Sequence, residues 1–118
     1  MKPFRLTLSH WLVLEYGLHD SMDIYKPHLA TAGEMKKFHL PEYIEYLEKI
    51  SPNVVDHFIP GGDTKFNIGE NDCPAFTGMY EFSCISAGGS IDAATKLNNG
   101  SSDICINWAG GLHHAKKG

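Results

Sequence analysis

Asp103-Ile104-Cys105-Ile106-Asn107-Trp108-Ala109-Gly110-Gly111-Leu112-His113-His114-Ala115-Lys116-Lys117 is the stretch on which the reading of this chain turns. A short apolar run, Ile104 to Ile106, is bounded by polar residues and leads into two glycines. That pattern predicts a buried strand followed by a loop. Gly110 and Gly111 let the backbone turn sharply, or let a ligand approach with no side chain in the way. His113 and His114 come next, and imidazole is the side chain best suited to moving protons near neutral pH. Open α/β sheets place ligands at the carboxyl ends of buried strands, so the stretch predicts an α/β chain with its chemistry at this loop. Composition leaves a second reading open, in which His-His beside Lys-Lys is a solvated basic tail. A metal site made from this pair alone is not expected. Zinc takes three or four protein ligands, and the other histidines show no ligand-like spacing.

Upstream of this stretch, Thr77 to Asn99 carries Met79, Phe82, Ile85, Ile91, Ala94 and Leu97 at mostly helical offsets, and Asn98-Asn99-Gly100 is a stop signal. Gly88 and Gly89 each cost about 1 kcal/mol relative to alanine inside a helix, so these residues alone predict two helices. Further back, Leu40, Tyr43, Ile44, Leu47 and Ile50 recur at helical spacing, with an acidic, solvated face of Glu42, Glu45 and Glu48 between them. Pro52 stops that helix. Thr31 to His39 predicts a short helix in which Thr31 and Glu34 form a capping box. Met22 to Tyr25 predicts a short strand ended by Pro27. Leu6 to Leu18 predicts a largely buried helix, with Pro3 in its first turn and Gly17 near its end. His10 on that helix reads as a packed or partly exposed residue, not a ligand. Pro52 to Phe66 is loop-like, with a strong turn at Pro60-Gly61-Gly62-Asp63. Asp72, in a second polar loop, reads as a turn or cap residue.

At 118 residues the chain is one domain at most, and its 42% hydrophobic and 20% charged content is ordinary for a globular chain. The net charge of -4 argues against direct nucleic-acid binding, which needs clustered Lys and Arg. Three cysteines, with no paired spacing, predict a reducing compartment. Cys84 and Cys105 sit in apolar surroundings and read as inert core residues. No apolar run approaches a membrane span, and no signal peptide is evident.

Trp-Ala-Gly-Gly-Leu-His-His-Ala-Lys-Lys, residues 108–117, resembles the active-site segment of the class I branch of the zinc-dependent histone deacetylases. Other matches lie upstream in the expected order. Met1-Lys2-Pro3-Phe4-Arg5 is similar to the family's Met-Lys-Pro-His-Arg. Tyr16-Gly17-Leu18 follows, then Phe38-His39 ahead of Glu42-Tyr43-Ile44, Phe66-Asn67-Ile68-Gly69, Asp72-Cys73-Pro74 and Gly88-Gly89-Ser90. The sequence departs from the family at Gly-Glu-Asn-Asp-Cys-Pro, residues 69–74, which holds one residue more than the usual Gly-Glu-Asp-Cys-Pro.

The resemblance implies part of the arginase/deacetylase-like three-layer α/β/α fold with a parallel sheet. Residues 1–118 would be the N-terminal portion of the catalytic domain, trimmed at both ends and unable to close that sheet. It also implies one long helix across Gly88-Gly89, the glycines letting a neighbouring element pack closely. The implied reaction is zinc-dependent hydrolysis of the acetyl-lysine amide, linked to transcriptional repression and chromatin regulation. His114 would be the general acid/base and His113 its hydrogen-bonding partner. Gly110 and Gly111 would line the lysine channel, and Leu112 and Arg5 the internal cavity below the metal, where a fixed cation suits acetate. Asp72 would accept hydrogen bonds from the substrate backbone at the rim. Lys2 would contact an inositol phosphate at a corepressor interface, or is simply a solvated lysine. The family's zinc ligands, an Asp-x-His pair and a further Asp, and its oxyanion-stabilising Tyr are expected downstream of this chain, none within it. Partners implied are acetylated histone tails or other acetyl-lysine proteins and corepressor subunits, in the nucleus and also the cytoplasm, with no membrane contact. Two alternatives stay open. One is a non-catalytic truncated product acting as a binding or competitor fragment. The other keeps the fold but acts on small acetylated molecules such as polyamines.

Overall fold

Helix α4, Met79–Asn98, is the longest helix among the described residues, and α3 packs against it. A computed structural model describes residues 4–50, 66, 68 and 75–111. The order is α1 (Phe4–Glu15), a 3-10 turn (Leu18–Ser21), α2 (Ala32–Met35), α3 (Pro41–Ile50) and α4. The core lies where α2, α3, α4 and the segment before α2 meet. Ala30, Met35, Ile44 and Cys84 are buried together, with Tyr43, Tyr80, Ala87 and Ile91 packed around them. Ile44 is 1% exposed, and Leu47 is buried one turn on, as the helical spacing of this acidic-faced segment predicts. Phe66 lies between the rings of Tyr43 and Tyr46, with centroids 5.2 Å away in each case.

α4 is continuous through Gly88-Gly89, as the family resemblance implies and against the two helices its own residues predict. The reason is packing. A Cβ at Gly88 would lie 1.9 Å from the His28 carbonyl oxygen, so only glycine admits this backbone. The Ala30 amide donates to the Cys84 carbonyl 3.0 Å away, fixing the two segments together. The helix propensity lost at two glycines is offset by this close approach. The stop is where the sequence places it, with Asn99 as C-cap and Gly100 at φ 71.

The capping box forms as predicted. The Glu34 amide donates to Thr31 Oγ1, and the Thr31 amide donates to Glu34 Oε2. The α-helical part is shorter than Thr31 to His39, and continues as hydrogen-bonded turns to His39. Gly17, at φ 64, ends the first helix as expected.

Two expectations are overturned. α1 is not largely buried: it has no buried residue, and Leu8, Trp11, Leu12 and Leu14 are exposed, Trp11 at 58%. Its apolar stripe has no facing element among the described residues, and an amphipathic helix is buried only by a partner. Met22 to Tyr25 and Ile104 to Ile106 are not paired strands, and no strand occurs among the described residues. Nor is the second run buried, since Ile104 is 81% exposed. A strand exists only as one side of a ladder, and neither segment meets a partner. The α/β class therefore rests on the family relationship given below, not on a sheet seen here. Pro3, Pro52 and the turn at residues 60–63 lie outside the described residues.

Candidate functional site

The apolar run 104–106 delivers the chain to a tight loop held on one face of α4. Asn107 organises it. The Ala109 amide donates to Asn107 Oδ1 at 3.0 Å, which closes an Asx turn. The Gly110 amide donates to the Asn107 carbonyl at 3.1 Å, which closes a β-turn over the same residues. Gly111 then takes φ 68, a left-handed conformation that favours glycine. Three further bonds tie the loop to the helix. Asn107 Nδ2 donates to the Ser86 carbonyl at 2.8 Å and to Ser90 Oγ at 2.9 Å. Ser86 Oγ donates to the Ala109 carbonyl at 2.9 Å. Ser86, Gly89 and Ser90 share a helix face because residues three and four apart are neighbours. Gly89 is the notch between the serines: a Cβ there would come within 3.0 Å of the Asn107 amide.

A second polar cluster holds the other side of α4. His28 Nδ1 and Asp92 Oδ1 lie 2.8 Å apart, and the His28 amide donates to Asp92 Oδ2 at 2.9 Å. Glu34 Oε1 is 3.5 Å from His28 Nε2, and the His28 side chain is 37% exposed. The hydrogen bond to Asp92 raises the His28 pKa above the ordinary imidazole value, against partial desolvation. The His28 amide holds Asp92 below the usual carboxylate range, and the Thr31 amide and hydroxyl do the same for Glu34. Burial pushes the Cys84 thiol up, in line with an inert core cysteine.

Between α1, residues 22–27, α4 and residues 102–109 runs a groove of about 900 Å³, with Met22, Ile24, Ile85, Gly89, Ile106 and Trp108 among its walls. Both segments read as strands therefore border one space against α4. His10 also lines it.

Of the site residues read from the sequence, Gly110 and Gly111 fall in the anchored loop, and Arg5 lies exposed in the first turn of α1. Lys2, Asp72, Leu112, His113 and His114 lie outside the described residues. Asn107, Ser86, Ser90, His28 and Asp92 were not singled out. Ser86 and Ser90 at helical spacing about Gly89 carried a signal. His28 and Asp92, 64 residues apart, carried none.

Residues 1–118 match the histone deacetylase domain over the whole chain. This chain belongs to the histone deacetylase family. It is 55% identical over 117 residues to Histone deacetylase HDAC1 of Drosophila melanogaster, covering 99% of this chain and 22% of that protein. It is 53% identical to Histone deacetylase 9 of Arabidopsis thaliana, over 99% of this chain and 27% of that protein. Against Histone deacetylase 1 of Homo sapiens the identity is 50%, over 99% and 24%. The chain thus spans about a quarter of the length of these relatives. These matches place it in the class I branch of a hydrolase family, and imply the arginase/deacetylase fold. Among the described residues no three His, Cys, Asp or Glu side chains come together as a metal site requires, so a zinc ion does not fit them.

Proposed function

We propose that residues 1–118 form the N-terminal portion of the catalytic domain of a class I protein-lysine deacetylase, acting on acetylated histone tails or other acetyl-lysine proteins. The observation that carries this reading is the whole-chain family match, centred on a loop anchored to α4 two residues before His113-His114. The reaction adds water across the acetyl amide: the C–N bond breaks, acetate leaves, and the lysine amine is freed. His114 takes the proton from the attacking water and returns one to the leaving amine, with His113 as its hydrogen-bonding partner. Gly110 and Gly111 leave room for the lysine chain, and Asp72 accepts bonds from the substrate backbone at the rim. Leu112 and Arg5 serve the cavity that receives acetate. Lys2 meets an inositol phosphate shared with a corepressor subunit. Zinc dependence is part of the proposal, with the ligands outside residues 1–118. So are a nuclear location and a role in transcriptional repression.

The test uses the complete open reading frame that carries these residues, assayed for acetate release from an acetyl-lysine histone peptide. The parent is expected to be active, and His114→Ala to lose on the order of 10²-fold or more in kcat. An inactive parent, or an unaffected H114A, overturns the reading. Residues 1–118 expressed alone are expected to release no acetate and to hold less than stoichiometric zinc by elemental analysis. One zinc per chain would overturn that part.

A further inference from the structure

We propose that Asn107 is a positioning residue for the reaction, locking the Gly110-Gly111 loop, which precedes His113-His114 in the sequence, onto the Ser86-Ser90 face of α4. The inference rests on the deacetylase reading above. Its own support is the bonding pattern of one side chain.

The Asn107 amide uses both of its ends. Oδ1 accepts from the Ala109 amide at 3.0 Å, and Nδ2 donates to the Ser86 carbonyl at 2.8 Å and to Ser90 Oγ at 2.9 Å. The partners dictate its orientation, because a backbone N–H can only donate and a carbonyl can only accept. Of the three hydrogen bonds of this half-buried side chain, one closes the turn and two link it to a helix 17 and 21 residues earlier in the chain. Ser86 closes the clamp from the other side, through its hydroxyl to the Ala109 carbonyl at 2.9 Å. The Ser86 and Ala109 carbonyls and the Ala109 amide are thereby all satisfied at the junction. The Gly89 notch brings the amide close enough to reach. The charged and shorter polar side chains do not meet these demands. Aspartate keeps the acceptor but loses both donors and turns a carboxylate oxygen toward the Ser86 carbonyl. Serine and threonine are too short to span from Ala109 to Ser86.

What such a clamp does for catalysis follows from geometry. Acid/base transfer needs donor and acceptor within hydrogen-bond reach, about 2.6–3.2 Å. Displacement of a catalytic group by about 1 Å costs on the order of 10²-fold in rate. Gly110 and Gly111 have no side chains to hold the loop, so its position depends on the residue before them. The channel needs the glycines and the histidines need a fixed approach, and Asn107 reconciles the two.

The experiment is made in the complete open reading frame. Asn107→Asp is expected to lower kcat by about 10²-fold, with KM within about twofold of wild type and the alkaline and acid limbs of the pH profile unmoved. Ser90→Ala, which removes the acceptor of one Asn107 bond and the hydroxyl's own bond to the Ser86 carbonyl, is expected to lower kcat by about fivefold. Thr31→Ala, at the far side of α4, serves as a control that reduces stability without touching the loop, and its kcat is expected to stay at the parent value. Two results overturn the inference while leaving the deacetylase reading intact. One is a folded N107D with parental kcat. The other is a kcat loss that T31A shares at equal melting temperature. Should N107D fail to fold, a parental kcat in S90A and in Ser86→Ala overturns it equally. A parent inactive on acetyl-lysine peptide overturns both readings.

Discussion

α3 carries a sharp apolar stripe and supplies Ile44 and Leu47 to the core, whereas α1, more apolar overall but with a weaker stripe, has no buried residue. The difference is what each faces. α3 meets α4 and the aromatic ring of Phe66, while among the described residues α1 meets chiefly the turn that follows it and borders an open groove. Helical spacing specifies which side chains can be buried together, and only a neighbouring surface buries them. The comparison teaches that stability in this chain is concentrated around α4, and that substitutions should be graded by their distance from it.

The sharpest way to test that grading is Gly88→Ala. Its Cβ would meet backbone, not a flexible side-chain end, so α4 and residues 28–30 must separate. We expect a loss of about 3 kcal/mol or more in urea denaturation. Ile44→Ala removes a side chain that is 1% exposed and should cost about 3 kcal/mol, with an unchanged denaturant slope.

Asp92→Asn should have a smaller effect, and one that depends on pH. The raised pKa of His28 means that its contribution is fully present below the ordinary imidazole pKa of about 6.5 and is lost as pH rises through the folded value. The lowered pKa values of Asp92 and Glu34 mean that theirs is present above the ordinary carboxylate range and is lost as pH falls through the folded values. The pair thus stabilises most in the window between carboxylate and imidazole titration. Melting temperatures of wild type and D92N should differ most there, and the difference should shrink on the alkaline side to what the His28 amide bond to Asp92 contributes. A constant difference from pH 5 to 9 would refute the pairing. Leu12→Gln, on exposed α1, should change stability by no more than about 0.5 kcal/mol. A loss near that of Ile44→Ala would erase the contrast between the two helices.

Much of the local structure was legible in advance, because it depends on neighbours in the chain. Thr31 and Glu34 are three residues apart, and their reciprocal bonds need only one turn of helix. Gly17 and Gly100 end helices through their own backbone conformations, and the buried face of α3 follows from its spacing. The loop before the histidines was recognised from its two glycines, but its anchor was not. Asn107 reads as one more polar residue until Ser86 and Ser90 are seen beside it.

The sequence alone settled the family, the capped helices, the glycine turns and the residue types available for proton transfer, because each of these is carried by adjacent or regularly spaced residues. Tertiary structure alone decided the rest. It made α4 one helix, because the His28 carbonyl needs the space that Gly88 leaves. It left α1 and Ile104 exposed, because burial and strand pairing each require a second surface. It paired His28 with Asp92 and Asn107 with Ser86 across 64 and 21 residues, distances over which no local pattern in a sequence carries information about contact.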